Sequence, residues 1–302
     1  MLSYSLPVNA VVLSPKSNFS EPVSSGLGGR SLLIEELTAT WCPSCAEVDP
    51  YLVNVADSHG SRIILTALHP SGVDDAFEND AASQRILRKQ ITHPEFQSTP
   101  MFIVEDGEIH DGYDAWTGVQ QDILEKELTR SNVTELSFTL ELVNETMIAR
   151  VEHVDLSNPS GQLTFLLLEH GKEVSEGYVN PGGDTRDRVL VGLAECSMEN
   201  DSLIDVLGVE AHNNNRCDTS FAMHFEPMVS FSVILLHEPT IIELENGTMP
   251  KTYGAIEMSI RERSEPATSS SMFLLIGFVT VGISLIVVQF FRNSSQIEEK
   301  RK

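Results

Sequence analysis

Between residues 31 and 131, short apolar runs alternate with segments whose apolar side chains recur at helical spacing. The runs predict buried strands, and the periodic segments predict amphipathic helices. The predicted order is β-α-β-α-β-β-α, at residues 31–37, 43–58, 62–68, 74–90, 101–104, 109–113 and 116–130. Because parallel strands are joined by right-handed crossovers, this order predicts an α/β domain with a mixed four-stranded sheet and helices on both faces.

The pattern changes near residue 132, where apolar and polar positions begin to alternate with a period of two. The predicted strands are residues 136–143, 147–154, 163–169, 203–209, 221–225, 231–237 and 253–261. Short strands separated by turn residues at this spacing favour an all-β sandwich of the immunoglobulin or fibronectin type. We therefore expect one domain over residues 31–131 and a second over residues 132–262, with residues 1–30 as a leader or flexible arm.

A run of twenty positions without a charged side chain occupies residues 272–291. Its length and hydropathy predict one C-terminal transmembrane helix, reached through a Ser-rich stalk at residues 263–271. The tail at residues 292–302 is basic. The positive-inside rule places this tail in the cytoplasm and the main body outside, as a single-pass protein of the cell membrane.

The beginning of the chain gives weaker support for export. Residues 6–13 are apolar but short, contain Pro7 and Asn9, and follow no basic residue, so they make a poor signal-peptide core. Either a signal lies upstream of Met1, or the protein is tail-anchored with its body in the cytosol. We expect export because of the tail and because of the N-x-Ser/Thr sequons that precede the predicted transmembrane helix, at Asn18, Asn132, Asn144, Asn200 and Asn246.

The composition narrows the range of partners. The 302 residues include 44 Asp and Glu against 20 Lys and Arg, a formal net charge of −24. Such a charge repels phosphate backbones, so we expect no nucleic-acid partner. The four cysteines are an even number, and with the sequons they favour an oxidising compartment.

The motif with the clearest chemistry is W-C-P-S-C at residues 41–45, between the first predicted strand and the first predicted helix. Amides of a first helical turn lack internal partners, so they and the helix dipole favour a thiolate at Cys42. We expect Cys42, the more exposed cysteine, to be the nucleophile, and Cys45, one turn deeper, to resolve the mixed disulfide. Pro43 suits the first helical position, where its missing N–H costs nothing.

Residues 31–131, a third of the chain, resemble the thioredoxin-like family through this motif and through the later Thr99-Pro100 before a hairpin. The resemblance implies a cis peptide bond before Pro100, facing the cysteines and keeping metals away from them. It also implies that Trp41, Thr99 and Pro100 bind substrate, with the Thr99 backbone pairing an extended segment as an added strand. An ordinary trans bond is the alternative.

The resemblance also implies a role for Glu36, which lies six residues before Cys42. Thioredoxin-like proteins often carry a buried acid at this position, and it takes the proton of the resolving cysteine. A carboxyl group beneath an apolar helix has a raised pKa and can act as that base. One alternative is that Glu36 is solvated and Glu35 faces inward, and another is that neither glutamate faces inward. Strand alternation does not decide between these possibilities.

The sequence departs from the family pattern in two places. The segment between Cys45 and Pro100 is longer than in a minimal thioredoxin, which predicts a helical insertion. The central pair Pro43-Ser44 replaces the Gly-Pro usual in reductases, and this pair tunes the redox direction, which stays open.

Other uses of the C-x-x-C pair fit less well. Zinc would need two more ligands, and a copper ion would want a third ligand nearby, which the sequence does not supply. The Pro-x-x-x-Thr-x-x-Cys arrangement of peroxiredoxins does not occur. We expect neither metal nor organic cofactor, because the dithiol itself carries two electrons. His69, His93 and His110 are expected to be surface or structural residues.

Cys196 and Cys217 lie 21 positions apart in the predicted sandwich. We expect them to form a structural disulfide that contributes about 3 kcal/mol in the chain-entropy model. The alternative is a second redox pair that exchanges electrons with Cys42 and Cys45, although structural bridges usually resist reduction.

These observations predict a membrane-anchored thiol–disulfide oxidoreductase that acts on protein thiols and disulfides of exported proteins. In this hypothesis Cys42, Cys45 and Glu36 are catalytic. The alternative is a non-catalytic surface-binding protein, whose sandwich binds a partner and whose thioredoxin-like domain is a scaffold. Its weak point is the intact C-x-x-C, which a scaffold would not require.

Overall fold

The computed structural model describes residues 11–131, 133–155 and 160–261, and its regular structure is mostly β. In chain order the strands are β1 (Val11–Leu13), β2 (Val23–Ser24), β3 (Leu32–Leu37), β4 (Ile63–Leu68), β5 (Met101–Val104), β6 (His110–Asp111), β7 (Leu136–Val143), β8 (Thr146–Val154), β9 (Gln162–Glu169), β10 (Lys172–Glu173), β11 (Thr185–Arg186), β12 (Val189–Ser197), β13 (Ser202–Leu207), β14 (Glu210–His212), β15 (Ala222–Phe225), β16 (Phe231–Glu238) and β17 (Gly254–Ile260). The α-helices are α1 (Pro43–His59), α2 (Asp80–Thr92), α3 (Trp116–Thr129), α4 (Cys217–Ser220) and α5 (Ile241–Glu245).

Local signals account for the helix starts. Helix α1 begins after Cys42, whose sulfur accepts a hydrogen bond from the Cys45 amide, and Pro43 occupies the first helical position. Helix α2 begins at Asp80, six residues later than predicted, because the Asn79 side chain caps it by accepting from the Ala82 amide at 2.9 Å.

One sheet of ten strands runs through both halves of the chain. Its order is β1-β17-β16-β9-β12-β4-β3-β5-β6, and β13 also pairs with β12. The junction is between β12 and β4, where Val189 is the parallel partner of Ala67. There the Ala67 amide donates to the Arg188 carbonyl at 3.0 Å.

The expected fold class, a thioredoxin-like α/β domain with a four-stranded sheet followed by a separate sandwich, is therefore wrong. The predicted four strands are present as β4-β3-β5-β6, but they continue into β12, β9, β16 and β17. Strand β12 was not predicted, and its first residue, Val189, pairs with β4 at Ala67, which links the two halves of the sheet.

Three apolar cores surround the large sheet. A five-stranded sheet, in the order β14-β15-β8-β7-β2, packs against β9, β12, β16 and β17 through residues that include Phe138, Phe165 and Phe221. On the opposite face a second core includes side chains of α2 together with Leu33 from β3 and Leu166 from β9. Helices α1 and α3 form the third core against β3, β4 and β5. Because the second core spans the junction, packing as well as hydrogen bonding joins the two halves.

The predicted stalk, transmembrane helix and basic tail, at residues 263–271, 272–291 and 292–302, lie outside the described residues. Within the described part of the chain, no helix combines the length and apolar character needed to cross a membrane.

Candidate functional site

The C-x-x-C motif forms a disulfide at the start of α1. Cys42 and Cys45 are bonded to each other, and the Cys45 amide donates a hydrogen bond to the Cys42 sulfur at 3.1 Å. The Ser44 hydroxyl lies 3.4 Å from the same sulfur. Two polar hydrogens can therefore point at the Cys42 sulfur, which is the arrangement that stabilises a thiolate after reduction.

Both cysteines are more buried than the sequence suggested. Cys42 is 3% exposed and Cys45 is fully buried, so the predicted order of exposure holds by a narrow margin. Ala39 and the half-buried Trp41 complete an apolar cluster around them. The Trp41 indole N–H has no hydrogen-bond partner among the described residues.

Thr99 and Pro100 lie at the same end of the sheet as the cysteines. Leu37, the last residue of β3, is the antiparallel partner of Met101, the first residue of β5. Thr99-Pro100 therefore sits beside the segment that leads from β3 to Cys42. The bond between Thr99 and Pro100 is cis, which confirms that prediction. Within the described part of the chain, the Thr99 backbone has no hydrogen-bond partner.

Glu36 is 3% exposed and faces Asp49 of α1, which sequence reasoning did not single out. Burial raises the pKa of Glu36 well above its ordinary value, and the neighbouring Asp49 carboxylate raises it further. Burial also raises the pKa of Asp49, although Glu36, Arg186 and His69 each lower it in part. Glu35 points elsewhere, into ion pairs with Arg85 at 2.8 Å and Lys89 at 2.6 Å.

A cavity of about 20 Å³ lies beneath α1, which is room for one water molecule. Glu36, Thr38, Asp49 and His69 line it, together with Arg186 and neighbouring side chains. Four buried polar atoms of these residues make no hydrogen bond of normal geometry with the described residues. They are Glu36 Oε1, Thr38 Oγ1, Asp49 Oδ1 and His69 Nε2.

Asp75 fixes the segment before the motif. Its carboxylate accepts hydrogen bonds from the Thr40 amide at 2.6 Å and from the Phe77 amide at 2.8 Å. It is also 2.9 Å from Nδ1 of the fully buried His69. His69 is therefore structural, as expected, but it also borders the cavity. Burial alone would raise the pKa of Asp75, but the His69 interaction and the amides lower it overall.

The second half of the chain supplies one wall of the site. Strands β10 and β11 pair with each other, and the loop between them reaches the start of α1. Arg186 donates to the Thr40 carbonyl at 3.4 Å, and its Nε lies 3.6 Å from Asp49 Oδ2. A Cβ on Gly182 would lie 3.0 Å from the Ala46 Cβ, so this loop packs directly on the residue after Cys45.

Cys196 and Cys217 form the second disulfide, fully buried in the core between the two sheets. It belongs to a different apolar core from the first disulfide. Two disulfides are consistent with an exported protein. Among the described residues, no group of three or more His, Cys, Asp or Glu side chains is arranged to hold a metal ion.

Of the site residues that the sequence analysis did not place beside the motif, one has a signal in the sequence. Asp49 lies four residues after Cys45, so a helix starting at Pro43 places both on one face. His69, Asp75 and Arg186 have no such spacing to the motif. Tertiary structure alone brings them to the site.

No known family model matches this chain, and no curated protein matches it either. Among solved structures it is similar to HBP35 of Porphyromonas gingivalis, at 15% identity and a TM-score of 0.49, over 80% of this chain and 78% of that one. It is also similar to protein AGR_C_4864 from Agrobacterium tumefaciens, at 14% identity and a TM-score of 0.43, over 78% and 96%. Both TM-scores are below 0.5, so neither likeness supports a statement about fold or function.

Proposed function

We propose that this protein is a thiol–disulfide oxidoreductase whose redox couple is Cys42–Cys45. The supporting observation is the disulfide at the first turn of α1, with the Cys45 amide 3.1 Å from the Cys42 sulfur. A cysteine at a helix start with amide hydrogen bonds is the environment that makes a thiol reactive. The motif's resemblance to thioredoxin-like proteins points to the same chemistry.

The proposed reaction moves two electrons. In the reduced chain, the Cys42 thiolate attacks one sulfur of a substrate disulfide, and the first substrate thiolate leaves and takes a proton from solvent. Cys45 then gives up its proton to a buried acid and attacks the Cys42 sulfur. The mixed disulfide breaks, the second substrate sulfur leaves as a thiolate and takes a proton from solvent, and the Cys42–Cys45 disulfide forms. The reverse sequence oxidises a substrate dithiol.

We propose protein cysteines as the substrates. The Thr99 backbone, unpaired within the described residues and placed beside the motif, would bind an extended segment as an added strand. Trp41 would contact the same segment. The proposed setting is the outer side of a cell membrane, with residues 272–291 as the anchor, so that the substrates are other exported proteins.

A trapping experiment tests this function. The Cys45→Ser variant of the full-length chain should accumulate a mixed disulfide with a disulfide-containing peptide, because the resolving thiol is gone. Cys42→Ser should accumulate none. A matched pair of controls, Cys196→Ser and Cys217→Ser, should also trap nothing while Cys42 and Cys45 remain intact. Equal trapping by the Cys42→Ser and Cys45→Ser variants, or by neither, would contradict the proposal.

A further inference from the structure

The cavity beneath α1 is lined by several buried polar groups. The Glu36 carboxyl group interacts with Asp49 and Thr38, and Glu36 Oε1, Thr38 Oγ1, Asp49 Oδ1 and His69 Nε2 make no hydrogen bond of normal geometry with the described residues. Buried polar atoms normally have partners, and a pocket of about 20 Å³ can hold one water that bridges several of them. The cavity therefore has the polar atoms and the room for one water beside Glu36 and Asp49.

Asp49 and Glu36 differ in their charged neighbours. Arg186 lies 3.6 Å from Asp49. The other charged groups on the cavity wall, Asp187 and Arg188, are already engaged, Asp187 with His170 at 2.7 Å and Arg188 with Asp57 at 3.0 Å. No ion pair to Glu36 occurs within the described residues. A negative charge shared between the two acids is therefore stabilised on Asp49.

The position of Asp49 on α1 also favours it over Glu36 as the acceptor of the Cys45 proton. It lies four residues after Cys45 in α1, so the two side chains project from the same helix face. Cys45 is fully buried, and a proton that leaves its sulfur needs an acceptor inside the protein. Asp49, on that face of α1, is a carboxyl group placed to accept it, and it also lines the cavity.

We infer that Asp49 is the proton acceptor for Cys45, and that Glu36 stays protonated beside it and orients it. This inference rests on the proposed function. In the resolving step, the S–H bond of Cys45 breaks, and its proton passes to the Asp49 carboxylate on the same helix face. The Cys45 electron pair forms the bond to the Cys42 sulfur, the bond between Cys42 and the substrate sulfur breaks, and the substrate leaves as a thiolate that takes a proton from solvent. Both acids are then neutral until Asp49 releases its proton to solvent.

The two steps of the reaction can be separated in one experiment. The reduced full-length chain, mixed with an excess of a small aryl disulfide, should release one aryl thiol when Cys42 attacks and a second when Cys45 resolves. Asp49→Asn should slow the second phase by roughly 100-fold or more near neutral pH and leave the first phase unchanged. Glu36→Gln should slow the second phase less than Asp49→Asn does, because the amide keeps the hydrogen-bonding shape of a protonated acid. Glu245→Gln, at an exposed position outside the site, should react like the wild type.

The pH profile gives a readout that loss of structure would not imitate. The rate of the second phase should rise with pH through one ionisation in the wild type and in Glu36→Gln, and that ionisation should be missing in Asp49→Asn. Loss of the second phase in Glu36→Gln alone, or equally in both variants, would overturn the inference. If the wild type shows neither phase, the proposed function itself fails.

A second measurement uses only the wild type. Carbon NMR of chain labelled at the Asp side-chain carboxyl carbons should show one resonance that shifts when the Cys42–Cys45 disulfide is reduced. If no Asp resonance responds and a Glu resonance responds instead in Glu-labelled chain, the acceptor is Glu36 and the inference is wrong.

Discussion

At the scale of single residues, the most informative pair is Glu36 and Asp49. Glu36 is buried with a raised pKa, as the resemblance to thioredoxin-like proteins implied. Its partner could not be predicted as such, because an aspartate on a helix surface is usually solvated. Only the packing of α1 on β3 and the approach of Arg186 turn Asp49 into a cavity residue.

The raised pKa of Glu36 has a consequence for stability. A carboxyl group whose pKa is raised in the folded state loses stability as pH rises above its ordinary value of 4.5, because the unfolded chain ionises first. Glu36→Gln removes this loss. We therefore expect the variant to gain unfolding free energy relative to the wild type between about pH 5 and about pH 8.

Chemical denaturation of both proteins at the two pH values measures this difference. Glu245→Gln, at an exposed position, is the matched control and should show no such trend. A relative stability of Glu36→Gln that does not change with pH would show that Glu36 is not held protonated.

At the scale of elements, the site depends on a loop that the sequence pattern did not connect to it. The loop between β10 and β11 and Arg186 at the end of β11 lie more than 120 residues after the motif in the chain. Arg186 nevertheless contacts the Thr40 carbonyl and approaches Asp49. Sequence periodicity did predict β3, α1, β4, β5 and α3 close to their observed bounds. Short strands of two residues, such as β10 and β11, have no periodicity to read.

Two adjacent glycines test the role of this loop. A Cβ on Gly182 would lie 2.6 Å from Arg186 Nη2 and 3.0 Å from the Ala46 Cβ, whereas one on Gly183 would meet nothing within 4 Å. Gly182→Ala should displace the Arg186 side chain and slow the second phase of thiol release severalfold. Gly183→Ala should behave as the wild type. Equal rates in the two variants would mean that the position of Arg186 does not matter.

At the scale of the whole molecule, the sheet and a buried ionic network make one folding unit of the described residues. Arg85 of α2 is 1% exposed and bridges Glu35 of β3, at 2.8 Å, and Glu238 of β16, at 2.7 Å. Burial alone would raise the pKa of Glu238, but Arg85 and Arg88 lower it to about 2. The network thus ties the first half of the chain to the second at the junction that β12 completes.

Removal of Arg85 should therefore destabilise the entire unit. Arg85→Met leaves two buried carboxylates without their shared partner, and we expect a loss of about 3–5 kcal/mol. Calorimetry should show a single unfolding transition that moves to lower temperature as a whole. The control Arg62→Met, at a position half exposed beside Glu127, should change stability by less than about 1 kcal/mol. Two separate transitions would contradict the continuous sheet.

The whole-molecule arrangement was the least predictable from sequence. Strands β7, β8, β9, β16 and β17 were expected, but β12 was not, and without it the two halves looked independent. Its sequence contains Gly192, an unfavourable residue inside a strand. In the structure a Cβ there would lie 2.5 Å from Val209 Cγ1, so the close approach of the connection between β13 and β14 favours glycine.

The reduction potential of Cys42–Cys45 in the full-length chain, measured beside Cys42→Ser, tests the central proposal most directly. We predict a defined two-electron couple that is lost in the variant, with a potential between about −270 mV, near that of thioredoxin, and about −120 mV, near that of a strong oxidant. A value toward the first limit would indicate a reductant and one toward the second an oxidant. The Cys196–Cys217 couple should be the same in both proteins. No couple between these limits in the wild type, or the same couple between them in Cys42→Ser, would contradict the proposed function.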